Sequence, residues 1–168
     1  LDLTNSTPFG GFDWSGNGTA VSTPAPPYVD GAVITTYFFA DAKSIDKTGG
    51  GSFITPNMIV SAPGGGSFGA GTYEYTIVAT INEVIDCVDP ACTVALFTTT
   101  GGSFNVYYDF AGNASGDTVA NQITAAGFMD GDILLSGTLT PAFAGSFTSF
   151  LAGDPLVPSG NGSFSFYT

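Results

Sequence analysis

Few side chains in this sequence could do chemistry, and they fall into three groups. The stretch Asp13-Trp14-Ser15-Gly16-Asn17-Gly18 places oxygen ligands at first, third and fifth positions and then a glycine, as the start of a calcium loop does. Asp13, Ser15 and Asn17 are therefore candidate calcium ligands. Pro24 stands where such a loop carries its bidentate glutamate, so further ligands would have to come from elsewhere. Asp130-Gly131-Asp132, and Asp109 with Asn113 and Asp117, are comparable oxygen-rich turns. The second group is Cys87 and Cys92, the only cysteines, set around Pro90. With no third thiol and no imidazole they cannot complete a four-ligand zinc or iron-sulfur site, so a local disulfide is expected, and with it an oxidising compartment. The third group is the two glutamates, Glu74 and Glu83. A glycosidase needs two carboxylates roughly 5–9.5 Å apart. Nine positions along one strand would separate this pair by roughly 30 Å, and they would face opposite sides.

What is missing matters as much. The chain has no histidine and no arginine, and its only lysines are Lys43 and Lys47. Ser-His-Asp and Cys-His nucleophiles, His-ligated zinc and arginine clamps on phosphate are all excluded. The residues therefore read as a binding or structural protein and not as an enzyme, with no cofactor required and calcium the one candidate ion. Fourteen carboxylates give a net charge of −12. That field repels nucleic acid, whose phosphates need the lysines and arginines this chain lacks. Charged residues are only 10% of the chain, against roughly 25% in ordinary soluble domains. A surface so poor in charge suits burial against other copies.

No run of apolar residues is long enough for a membrane helix, and a start at Leu1 fits a mature, exported form. Asn5, Asn17, Asn113 and Asn161 each begin a glycosylation acceptor triplet. Trp14, the only tryptophan, either stacks on a sugar or anchors its segment to the core.

Strands must position these groups. Tyr73 to Ile85 alternates with period two, interrupted on its apolar face by Glu83; it leads into the cysteine turn, and Thr93 to Thr100 returns as its hairpin partner. Phe104 to Phe110 reads as a further strand, as do Ala32 to Phe39, Phe53 to Val60, Asp132 to Leu139, Phe143 to Leu151 and Ser163 to Tyr167. Ser22 to Tyr28 and Ala62 to Gly71 read as loops. Helix signals are confined to Ala40 to Lys47 and Thr118 to Phe128, each good for a turn or two. Gly-Ser-Phe recurs at irregular spacing, as a turn-to-strand junction would. The expected fold is all-β: an antiparallel β-sandwich, immunoglobulin-like or jelly-roll, with roughly eight to ten strands and little helix. Residues 1–12 are expected to be a flexible N-terminal segment and 13–168 a single sandwich domain. Within that segment Leu1-Asp2-Leu3-Thr4 alternates, so Leu1 and Leu3 could seat a donated strand in a neighbour's sheet; the alternatives are a terminal strand or tail on its own domain, and Ser163 to Tyr167 as the donor instead.

Phe12-Asp13-Trp14-Ser15-Gly16-Asn17-Gly18, Gly131-Asp132-Ile133-Leu134-Leu135-Ser136-Gly137-Thr138-Leu139 and the ending Gly162-Ser163-Phe164-Ser165-Phe166-Tyr167 resemble exported PEP-CTERM proteins of biofilm- and floc-forming bacteria. The resemblance covers the texture of the chain and these three segments. The family's Pro-Glu-Pro hallmark, with its hydrophobic helix and basic tail, is not in the sequence. What the resemblance implies is an extracellular matrix role associated with exopolysaccharide, with no catalytic residues. Residues and resemblance together lead to the expectation of a structural subunit of an extracellular filament or biofilm matrix that polymerises with itself. The alternative is a secreted carbohydrate-binding or adhesin module that uses calcium.

Overall fold

Alternating Val, Ile, Thr, Tyr and Phe favour pleated, half-buried backbone, and strands dominate the computed structural model. It describes residues 9–14, 18–25, 27–42, 44–47, 51–53, 73–110, 113–114, 124–141 and 144–148. Among these the strands are β1 (Phe9–Asp13), β2 (Thr19–Thr23), β3 (Val33–Asp41), β4 (Ser44–Lys47), β5 (Ser52–Phe53), β6 (Glu74–Cys87), β7 (Val94–Asp109), β8 (Asp132–Leu139) and β9 (Ala144–Thr148). They form two antiparallel sheets: a three-stranded one in the order β1-β4-β5 and a six-stranded one in the order β2-β3-β6-β7-β8, with β9 also on β7. The fold is thus nearly all β and sandwich-like. Its larger sheet ends at β2 and β8 among the described residues instead of closing into a barrel. No helix there is long and apolar enough to cross a membrane.

The chain divides into two units that both draw on the long strands: residues 1–20, 38–78 and 105–136 form one, and 21–37, 79–104 and 137–168 the other. In the first unit β1 runs antiparallel to β4, with Phe12 opposite Ile45 and Asp13 opposite Ser44. Ala42 and Ile45 are buried with Phe12, Trp14, Tyr73 and Tyr75 packed on them. The Phe12 and Tyr75 rings lie 5.0 Å apart, which packs the small sheet against β6. Trp14 sits 5.2 Å from Phe12, the anchoring position. A second cluster gathers Phe39, Ala114, Ala125 and Phe128, with Phe39 and Phe128 at 4.9 Å.

The second unit has its core at Ile34, Ile85, Ala95 and Phe97, covered by Tyr28, Ala32, Cys87 and Cys92. Along β6 the alternate residues Ala79, Ile81, Glu83 and Ile85 are all buried. Glu83, the expected interruption, is therefore a core residue.

Two expectations change. Residues 93–100 and 104–110 are not two strands but one, β7, running straight through Gly101 and Gly102. Gly102 has φ +154°, and a Cβ there would collide with the carbonyl oxygen of Thr80. Glycine therefore lets the strand continue at a point where any side chain would stop it. Residues 40–42 and 44–47 are not helical. Asp41 ends β3, the Ala42 N–H bonds the Tyr75 carbonyl at 2.9 Å, and Ser44 begins β4, because burial of Ala42 and Ile45 outweighs local helix propensity. Of the expected 118–128 helix, residues 118–123 lie outside the described ones; Thr124 is helical and residues 125–127 are a turn, with the Phe128 N–H on the Ala125 carbonyl at 3.0 Å. Strands β1 and β2 went unnoticed in the sequence, where glycine and hydroxyl residues dilute the alternation. Since β1 begins at Phe9, the part of the N-terminal segment that precedes the first strand is residues 1–8.

Candidate functional site

The residue groups singled out above do not converge. Asp13 lies at the end of β1, where its Oδ2 accepts a hydrogen bond from the Ser44 hydroxyl at 3.5 Å. Ser15 and Asn17 lie outside the described residues, and among the described residues no group of three or more Asp, Glu, Cys or His side chains could hold a metal. Leu1, Leu3, Asn5 and Asn161 also fall outside. Asn113 is exposed, and its side-chain amide donates to Asp130 Oδ2 at 2.9 Å.

Cys87 and Cys92 are disulfide-bonded, with Cα atoms 4.8 Å apart. The bond closes the turn between β6 and β7, where the Val88 N–H reaches the Val94 carbonyl at 2.9 Å. Asp89 organises this turn from within. Its Oδ1 accepts from the N–H groups of Ala91 (3.0 Å) and Thr93 (3.3 Å), and its Oδ2 from the Thr93 hydroxyl (2.8 Å) and the Val94 N–H (2.9 Å). The Thr93 hydroxyl foremost, then the Val94 N–H, holds this carboxyl below its ordinary range.

Both glutamates are structural. Glu74 is 1% exposed and accepts the N–H groups of Asn113 and Ala114, both at 3.0 Å, on Oε1; its Oε2 is buried without a partner. Burial pushes its carboxyl up from 4.5 to about 7; the two N–H bonds oppose that rise, and the Asp109 and Asp41 carboxylates add to it. Glu83 is likewise raised by burial, opposed by a hydrogen bond from Thr36. Both side chains are buried.

The feature most like a functional surface is β8, which in sequence reads simply as a strand. β7 positions it. Ser136 donates its hydroxyl hydrogen to Asn105 Oδ1 at 2.7 Å, and the Phe104 ring occupies the space a Cβ on Gly137 would need. Farther along β7 the partner is β9, with Val94 opposite Thr148 and Thr98 opposite Ala144. β8 is an end of the six-stranded sheet, so its outer N–H and C=O groups face no strand among the described residues. Ile133, Leu134 and Leu135 are 59%, 53% and 46% exposed. Successive residues point to opposite faces, so β8 is open and apolar on both. Its one charge is Asp132, at the first position, and it contains no lysine and no proline. Those are the usual devices against edge-to-edge pairing. The opposite edge, β2, is only five residues long and is followed at once by Pro24. The available signal was the run Ile133-Leu134-Leu135, which breaks the period-two pattern; in sequence it reads equally well as a strand covered on both faces.

A second surface is a run of rings in the first unit. Tyr75 and Tyr73 are 5.6 Å apart, each is 5.4 Å from Tyr108, and Tyr108 is 4.8 Å from the exposed Phe110.

No protein-family model, no curated protein and no solved structure matches the chain.

Proposed function

We propose that this protein is a structural subunit of an extracellular filament or biofilm matrix, that its principal partner is another copy of itself, and that it assembles by β-strand addition. The observation that carries the reading is β8: an eight-residue edge strand with three consecutive exposed apolar residues and none of the usual protection. An ordinary soluble domain avoids such an edge, whereas a subunit that adds strands needs one. The low content of charged residues, 10%, supports it, because few charges oppose close packing of copies. The Cys87–Cys92 disulfide supports an exported location. Electron microscopy and sedimentation of the purified protein test the proposal. Extended filaments that grow with concentration are expected, and a monomer at every concentration overturns it.

A second reading, a carbohydrate-binding or adhesin module acting on extracellular polysaccharide, is favoured by the ring series Tyr73, Tyr75, Tyr108 and Phe110, since aromatic faces stack on sugars. Retardation of the protein in gels containing neutral polysaccharide, lost in Phe110→Ala, is its test. Calcium held by Asp13, Ser15 and Asn17 belongs to this reading, and a melting temperature that rises with millimolar calcium and falls with chelator tests it.

A further inference from the structure

We infer that β8 pairs with the β8 of a second copy, antiparallel and two-fold symmetric about Leu134, so that Ile133, Leu134 and Leu135 of one copy cover the same three residues of the other. This rests on the reading of the protein as a self-associating subunit and names the contact that joins two copies.

The edge itself limits the partner. Alternate N–H and C=O groups of β8 turn away from β7, and a partner that satisfies them as a row is itself a strand. That strand must also be apolar on both faces over three successive positions, because Ile133, Leu134 and Leu135 are all exposed and point alternately to the two sides. Among the described residues, large apolar side chains are exposed at consecutive positions only in this run. The strand that matches β8 is therefore another β8.

Charge points the same way. The chain carries −12, so two copies repel and approach closely only where carboxylates are sparse. Asp132 is the one charge on β8. A basic partner would find nothing else on this edge to recognise.

Charge and pattern then fix the register. In parallel, in-register pairing Asp132 would stand ~5 Å from its counterpart, which destabilises a sheet. Antiparallel pairing about Leu134 sets Asp132 opposite the uncharged, exposed Ser136. The two Asp132 residues are then offset by four positions, ~13 Å along the strands, beyond the ~8 Å screening length at physiological salt. On one face Leu134 meets Leu134, and on the other Ile133 meets Leu135 twice, so all six apolar side chains gain an apolar neighbour. A slip of one residue sets either Asp132 opposite Leu135 or Ile133 opposite Ser136. Since the same patch serves on both sides, the contact is isologous and closes as a pair. A filament built on it is a row of pairs, joined to one another at a different surface.

Single cysteines added to the full chain test the register, the native pair being closed as Cys87–Cys92. Under mild oxidation Leu134→Cys should give a covalent dimer, because position 134 faces itself. Asp132→Cys alone and Ser136→Cys alone should give none, whereas a mixture of the two should cross-link. Sedimentation reads the contact without a bond. Wild type should form dimers or larger species, more readily as salt screens the repulsion between acidic copies. Leu134→Lys should keep the wild-type melting curve and raise the concentration needed for half-association by about tenfold. If it lowers the melting temperature, Leu134→Thr replaces it. Self-cross-linking at 132 as readily as at 134 overturns the antiparallel register. Unchanged association of the folded edge variant overturns β8 as the contact and leaves the subunit reading standing. A wild-type protein that is monomeric at every concentration removes that reading as well.

Discussion

Thr36 donates its hydroxyl hydrogen to Oε2 of Glu83 at 2.6 Å, and both side chains are buried among the core strands β3 and β6. Ser22 Oγ is 2.9 Å from the Thr36 hydroxyl, so the bond belongs to a short polar chain that enters from β2. Oε1 of Glu83 is buried with no partner. Removing the Thr36 hydroxyl removes the hydrogen bond that the described residues give this carboxyl. Thr36→Val, nearly isosteric, is expected to cost about 1–3 kcal/mol in denaturant unfolding. Unchanged stability in that variant would show that the bond contributes nothing.

The Glu74 carboxyl gives the protein a preference for acid. Its folded-state value, about 7, lies above the 4.5 of an exposed glutamate. The folded state therefore holds the proton more tightly than the unfolded state. The resulting stabilisation is complete below about pH 4.5 and is lost as pH rises toward about 7. Unfolding free energy should fall across that window by on the order of 2 kcal/mol, and Glu74→Gln, which cannot ionise, should flatten the slope. A profile of the same slope in wild type and variant would count against the assignment.

The Cys87–Cys92 bond should survive in the purified protein. Unreduced mass is expected to fall short of the reduced mass by two hydrogens, and thiol reagents should label nothing until a reductant is added. Because the closed loop is short, reduction should cost on the order of 2 kcal/mol, with Asp89 still holding the turn. Full labelling of the native, unreduced protein would be inconsistent with the bond.

Gly102 is the position where β7 least tolerates a side chain. Gly102→Ala would push a methyl group into the Thr80 carbonyl at a backbone φ of +154°. A loss of roughly 1–3 kcal/mol is expected, seen as a lowered melting temperature. Gly51→Ala, at φ +84° with open space around it, is the control for backbone conformation alone. Equal effects at the two sites would remove the close approach as the cause.

Local chemistry, which needs only near neighbours, was legible in the residues. A Cys-x-x-Pro-x-Cys turn between alternating segments brings its own sulfurs together. Period two placed β3 and β6 to within a residue or two because each spends its length on one pattern. The tertiary structure decided what depends on the partner strand. Gly101 and Gly102 look like a turn in isolation, and only β6 lying against them makes that stretch one strand. The partners of Glu74 and Glu83 are not written near them: residues 113–114 and Thr36 supply their donors from positions more than thirty residues away. Ile133, Leu134 and Leu135 look like a covered strand, and sheet order alone leaves them at an edge. Alternation is written along one chain, whereas exposure is a property of what packs on either side of it.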